Sequence, residues 1–116
     1  MPLNVLYLDD EPALCEIFAD EFSSKDIIVM TFTDPKEALV AALKTPPDVI
    51  FVDYRLPRTT GDLVAQAMSS KVPKYLVTGE NSVNTIYEFT GVFTKPMDIK
   101  AVRSVLNTHL MVKRSA

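Results

Sequence analysis

Five short apolar runs alternate with helix-like segments along this chain, and this alternation restricts the fold more than any other feature. The runs cover residues 3–8, 27–32, 48–53, 74–78 and 91–94. They are rich in β-branched and aromatic residues and apolar on both faces, which is typical of parallel strands buried between two layers of helices.

Between the runs, apolar residues recur three or four positions apart, as on one face of a helix. This spacing predicts helices over residues 12–24, 35–44, 62–69 and about 98–111. The second of these opens with Asp34, Pro35 and Glu37, a favourable N-terminal capping pattern. Only residues 80–90 remain for a helix between the last two strands, so we expect that helix to be short and partly irregular.

Five strand–helix repeats predict an α/β fold of the flavodoxin-like (βα)5 type. The five-stranded parallel sheet should have the order 2-1-3-4-5, with right-handed crossovers and a shortened fourth helix. We expect the whole of 1–116 to form a single domain, because the length suits one. In this strand order, ligands bind beyond the carboxyl ends of strands 1 and 3.

Composition argues against several classes of protein. The net charge is −3, with 12 Lys and Arg against 15 Asp and Glu, so we expect no direct binding to nucleic acid. A single cysteine and a single histidine leave no pattern for a disulfide or a zinc site. No apolar run approaches the roughly 18 residues of a membrane span, and no signal pattern opens the chain. The sequence therefore predicts a cytoplasmic protein.

Acidic residues stand where two neighbouring strands of the predicted sheet end. Asp9 and Asp10 follow strand 1, and Asp53 ends strand 3. Adjacent strands lie about 4.8 Å apart, so the three carboxylates should meet at one edge. Two unit charges about 4 Å apart repel by roughly 4 kcal/mol near a protein surface. A hard divalent cation would offset this repulsion, which points to Mg²⁺, with Mn²⁺ as the alternative.

Two further polar side chains end strands 4 and 5. Thr78 offers a hydroxyl, and the long stem of Lys95 allows its ammonium to reach the same carboxylates. This set suits a carboxylate nucleophile, Asp53, that takes up a phosphoryl group. Other interpretations remain open for single residues: Asp10 could cap the first helix, and Lys95 could be an ordinary surface charge.

At this point the sequence resembles the receiver domain of bacterial two-component response regulators, of the CheY-like type. The motifs that carry the resemblance are LDDEP, VDYRLP with Gly61 eight positions after Asp53, VTGE and TKP, in this order. They stand at four strand ends along nearly the whole chain.

The resemblance implies that Asp53 accepts a phosphoryl group from a histidine kinase or a phosphotransfer protein. Asp10, Asp53 and the backbone carbonyl of Arg55 would ligate Mg²⁺, with Asp9 acting mostly through water. Lys95 would pair with the phosphoryl group, and its bond to Pro96 would be cis. The Thr78 hydroxyl would move toward the phosphoryl group and so signal its presence to a downstream partner. Such a domain is not a turnover enzyme, because it performs only self-phosphotransfer and autodephosphorylation.

The chain departs from the family pattern at three places. Val92 stands where the family often has an aromatic residue that reports on the movement of the threonine. The short fourth helix makes a standard dimer less expected, so we predict a monomer or weak dimer. Arg55 and Glu80 occupy the rim positions that tune hydrolysis in the family, and their opposite charges predict a phosphoryl group that lasts longer than in relatives with small polar residues there. The alternatives are a degenerate receiver that only binds proteins, and an Asp-nucleophile phosphohydrolase. The latter would need a second Asp where Arg55 stands.

Overall fold

The computed structural model describes residues 1–115 and contains one five-stranded parallel sheet. Its strands are β1 (Leu3–Leu8), β2 (Ile27–Phe32), β3 (Val49–Asp53), β6 (Lys74–Thr78) and β7 (Gly91–Thr94). A separate two-stranded hairpin consists of β4 (Arg55–Leu56) and β5 (Thr59–Thr60). The order across the main sheet is β2-β1-β3-β6-β7, which confirms the predicted order of the five apolar runs.

The helices are α1 (Pro12–Phe22), α2 (Pro35–Lys44), α3 (Gly61–Ala67) and α4 (Ile99–Ser115). The carboxylate of Asp34 accepts a hydrogen bond from the Glu37 N–H at 3.0 Å, as the capping pattern predicts. The apolar faces of the four helices cover both sides of the sheet. Helices α1 and α4 pack with the side chains of one face, and α2 and α3 with those of the other. Among residues 1–115, no helix is both long and apolar enough to cross a membrane.

The predicted short fourth helix is wrong, because residues 79–90 form no helix. Two buried charged side chains hold this segment instead. The Asp62 carboxylate accepts the Ile86 N–H at 3.1 Å, and the Lys74 ammonium donates to the Tyr87 hydroxyl at 2.9 Å. Val83 and Phe89 pack against the α2–α3 side of the sheet. The Ile86 N–H therefore has a tertiary partner in place of a helical carbonyl, and the Tyr87 side chain is held by the sheet.

Candidate functional site: an acidic pocket at the edge of the sheet

The acidic pocket forms because β1 and β3 are adjacent and in register. Leu8 pairs with Val52, so the residues that follow, Asp9 and Asp53, lie side by side at the carboxyl end of the sheet. The structure brings Asp9, Asp10 and Asp53 together, with one carboxylate oxygen of each within 4.8 Å of the others. Hard oxygen donors at this spacing fit the chemistry of Mg²⁺, which prefers carboxylates and water.

Lys95 lies between two of these acids. Its ammonium is 3.2 Å from Asp9 Oδ2 and 3.2 Å from Asp53 Oδ1. The Lys95 backbone N–H donates to the Thr78 carbonyl at 2.8 Å, which holds the residue at the end of β7. The Lys95–Pro96 peptide bond is cis, as the family resemblance implies. The interpretation of Lys95 as an ordinary surface charge is therefore wrong.

The two consecutive acids have different environments. Asp9 is completely buried, and its Oδ1 accepts the Glu11 N–H at 3.0 Å. Asp10 is exposed, so its carboxylate faces the solution from which a cation would enter. Glu11, and not Asp10, precedes the first residue of α1, and no side chain caps this helix. The capping interpretation of Asp10 is therefore wrong.

Burial sets the protonation behaviour of Asp53. Removal from water and the neighbouring charge of Asp9 raise its pKa to about 6, although the Lys95 ammonium acts in the opposite direction. Burial lowers the pKa of Lys95, but the charges of Asp53 and Asp9 outweigh it and leave that pKa above its ordinary value. The lysine therefore stays charged and compensates only part of the negative charge in the pocket.

Gly61 approaches the backbone of Asp53 so closely that no side chain fits there. A Cβ atom at this position would overlap the Asp53 carbonyl oxygen and lie 3.3 Å from the Tyr54 Cα. The Gly61 N–H donates to the Tyr54 carbonyl at 2.8 Å, so the start of α3 is fixed against the end of β3. Only glycine allows this contact, which explains the requirement for glycine eight positions after Asp53.

Thr78, Arg55 and Glu80 follow the strand ends that form the pocket, with Thr78 the last residue of β6 and Arg55 the first of β4. Thr78 is buried, and its Oγ1 accepts the Glu80 N–H at 3.0 Å, which leaves the hydroxyl proton available for donation. The Arg55 guanidinium makes two hydrogen bonds to the Glu80 carboxylate, at 2.9 Å and 3.1 Å. The predicted pairing of these two charges is thus present at the protein surface.

Tyr7 is the residue of the pocket that sequence reasoning missed. Its hydroxyl donates to Asp9 Oδ2 at 2.8 Å. It lies in the run 3–8, where every other residue except Asn4 is apolar, so the run as a whole predicts only a core position. The available signal was its spacing, since residues two apart on a strand share a face and Tyr7 stands two positions before Asp9.

Comparison with known proteins identifies the family. The chain belongs to the response regulator receiver domain family, whose sequence model matches residues 5–107. Proteins of this family act as phosphoacceptors in two-component signalling rather than as turnover enzymes.

Two curated relatives match almost the whole chain. One is the probable transcriptional regulatory protein TcrX of Mycobacterium tuberculosis, 30% identical over 98% of this chain and 51% of that protein. The other is the response regulator protein PilR of Pseudomonas aeruginosa, 28% identical over 95% of this chain and 26% of that protein. The chain therefore spans about half the length of the first relative and about a quarter of the second.

Solved structures share the fold. The chemotaxis response regulator CheY4 of Vibrio cholerae is 26% identical with a TM-score of 0.81, over 94% of this chain and 99% of that one. The signal receiver domain of an HD domain-containing protein from Pseudomonas fluorescens Pf-5 has a TM-score of 0.87 at 18% identity, with full coverage of both chains. The second likeness supports the fold alone.

Proposed function

We propose that Asp53 accepts a phosphoryl group from a phosphohistidine of a histidine kinase or a phosphotransfer protein. A carboxylate oxygen of Asp53 attacks phosphorus, the P–N bond breaks as the new P–O bond forms, and the histidine ring leaves with the bonding electron pair. The product is an aspartyl phosphate, which water later hydrolyses. The observation that carries this proposal is the buried Asp53 carboxylate 3.2 Å from the Lys95 ammonium, beside two further acids.

The residues around Asp53 have separate roles in this proposal. Asp10, Asp53 and the Arg55 backbone carbonyl would hold Mg²⁺, with Asp9 reached through water. The bound ion would supply a positive charge that offsets the charge of the transferring phosphoryl group. Lys95 pairs with a phosphoryl oxygen, and Thr78 can turn its hydroxyl from Glu80 toward another.

Incubation with acetyl phosphate and Mg²⁺ tests the proposal directly. We expect intact-mass measurement to show the addition of one phosphoryl group to the wild-type protein and none to Asp53→Ala. Asp26→Ala is the matched control, because Asp26 lies outside the pocket and pairs with Arg114 on the surface. A wild-type chain that takes up no phosphoryl group would instead be a receiver that only binds proteins. Repeated turnover of a phosphomonoester would indicate a phosphohydrolase.

The pairing of Arg55 with Glu80 supports a slowly hydrolysed phosphoryl group. A two-point ion pair at the rim restricts the approach of water to the phosphoryl group and keeps the guanidinium close to it. We therefore expect Arg55→Ala to shorten the lifetime of the aspartyl phosphate, measured by its decay after removal of the donor. Arg103→Ala is the control, because it breaks a similar exposed pair with Glu21. An unchanged or longer lifetime in Arg55→Ala would count against this role.

The phosphorylated state would change the binding of a downstream effector, whose identity stays open. The Thr78 hydroxyl and the segment 79–90 are directly linked through the Glu80 N–H. Val92 is exposed over 57% of its surface and has no ring to report on Thr78, whereas Phe93 packs inward near Phe51 at 5.9 Å between ring centres. We infer that the threonine signals through the segment 79–90 to which it is joined.

A further inference from the structure

Tyr7 extends from the hydrophobic core to the floor of the acidic pocket. The side chain is 1% exposed, and its ring stacks on Phe18 with 4.2 Å between ring centres and 13° between planes. This stack fixes the direction of the ring, so the hydroxyl points at Asp9 and donates to Oδ2 at 2.8 Å. A ring held by core packing is a rigid support for a hydrogen bond, unlike a long surface side chain.

Three donors of the protein hold the Asp9 carboxylate. Oδ1 accepts the Glu11 N–H at 3.0 Å, while Oδ2 accepts both the Tyr7 hydroxyl at 2.8 Å and the Lys95 ammonium at 3.2 Å. A completely buried carboxylate needs such donors, because an unpaired charge is costly away from water. The Tyr7 hydroxyl is the uncharged side-chain donor among these groups.

We propose that Tyr7 is a positioning residue that orients Asp9 for magnesium binding and keeps the Lys95 ammonium shared between Asp9 and Asp53. This inference rests on the proposed function, because it concerns the same pocket. Tyr7 does not touch the phosphoryl group or the ion, and it acts only through the orientation of the Asp9 carboxylate.

The position of the Lys95 ammonium between Asp9 and Asp53 explains why the uncharged Tyr7 hydroxyl matters. The ammonium is equally distant from the two acids, at 3.2 Å from each. Without the Tyr7 hydroxyl, Lys95 is the remaining side chain that donates to Asp9 Oδ2. The carboxylate is then free to turn toward the lysine, and the lysine is drawn away from Asp53. Both movements oppose a divalent cation in the pocket, since Lys95 competes with it for the same charge.

The test is the affinity of Tyr7→Phe for Mg²⁺, measured by calorimetry and by shifts of the Asp9 and Asp10 amide signals in NMR. We expect the dissociation constant to rise about tenfold, since loss of a group that orients a metal-site residue typically costs 10–100-fold in affinity. The Mg²⁺ concentration that half-saturates phosphorylation by acetyl phosphate should rise by a similar factor, while the rate at saturating Mg²⁺ changes less.

Tyr75→Phe is the matched control. Tyr75 belongs to the same core cluster, and its hydroxyl is 2.8 Å from His109 Nε2, outside the acidic pocket. Both variants lose one buried hydroxyl, so a purely structural role predicts similar losses of stability and an unchanged Mg²⁺ affinity in both. An Mg²⁺ affinity of Tyr7→Phe equal to that of Tyr75→Phe, or tighter than wild type, would overturn the proposal.

A measurement on the wild-type protein covers the case in which Tyr7→Phe fails to fold. The Tyr7 hydroxyl proton should exchange slowly with water, and its NMR signal should shift when Mg²⁺ is added. A signal that does not move at saturating Mg²⁺ would also overturn the inference. Failure of the proposed function is distinguishable, because the wild-type protein would then bind no Mg²⁺ and take up no phosphoryl group.

Discussion

The buried Asp53 carboxylate should make the cation-free protein less stable at neutral pH than a variant without this charge. Its pKa rises from an ordinary value of 3.8 to about 6 in the folded protein, which corresponds to a cost of about 3 kcal/mol when the group is fully ionised. Asp53→Asn removes the charge and keeps the shape of the side chain. We therefore expect it to raise the free energy of unfolding by about 3 kcal/mol at pH 8.

The direction of the pH dependence follows from the same two values. Between pH 3.8 and about 6 the unfolded chain has already released the Asp53 proton, whereas the folded chain retains it. The stability contributed by this group is therefore complete below pH 3.8 and is lost as the pH rises through about 6. The difference between Asp53→Asn and wild type should be small near pH 4 and reach its full size above pH 7.

Urea unfolding at several pH values, followed by far-UV circular dichroism in the presence of a chelator, measures this difference. Addition of Mg²⁺ should then stabilise the wild type more than Asp53→Asn, because the variant has lost one carboxylate ligand. A variant no more stable than wild type at pH 8, or one whose advantage does not shrink toward pH 4, would refute the reasoning.

Asp62→Asn is a control in which removal of the charge should lower the free energy of unfolding instead of raising it. Burial of Asp62 acts to raise its pKa, but hydrogen bonds from the Thr60 hydroxyl and the Ile86 and Leu63 N–H groups outweigh it and leave that pKa below its ordinary value. Its charge therefore stabilises the fold, and this contribution is lost as the pH falls through the lowered pKa. We expect Asp62→Asn to cost about 2 kcal/mol at pH 8 and to speed hydrogen exchange at the Ile86 amide.

Two further predictions concern glycine and histidine. Gly61→Ala should lower the free energy of unfolding by about 3 kcal/mol, because the added methyl group would overlap the Asp53 carbonyl oxygen. Gly79→Ala is the control: a methyl group there would have nothing within 4 Å, so the free energy of unfolding should change by less than about 0.5 kcal/mol. Equal effects in thermal unfolding would contradict the steric argument. An NMR titration of His109 should give a pKa below the ordinary value of 6.5, because burial disfavours the charged ring. The contribution of His109 to stability is therefore complete above pH 6.5 and is lost as the pH falls below 6.5. A pKa at or above that value would contradict this assignment.

The segment 79–90 shows where local sequence signals fail. Val83, Ile86, Tyr87 and Phe89 occur at spacings that a short helix would also give. The decisive contacts come from far along the chain, since Asp62 binds the Ile86 N–H across 24 positions and Lys74 binds the Tyr87 hydroxyl across 13. A pattern within these twelve residues holds no information about donors and acceptors that distant elements supply.

The sequence by itself determined the alternation of strands and helices, the order of the sheet and the acids at its edge. These depend on hydrophobic periodicity and on the rule that parallel strands end at one edge, and both can be read along the chain. Only the tertiary structure decided that Asp9 is buried and Asp10 exposed, that Lys95 is shared between two acids, and that the Tyr7 hydroxyl supports the first of them. Such details depend on how side chains from separate elements divide a few donors among several carboxylates, and that division exists only once the chain is packed.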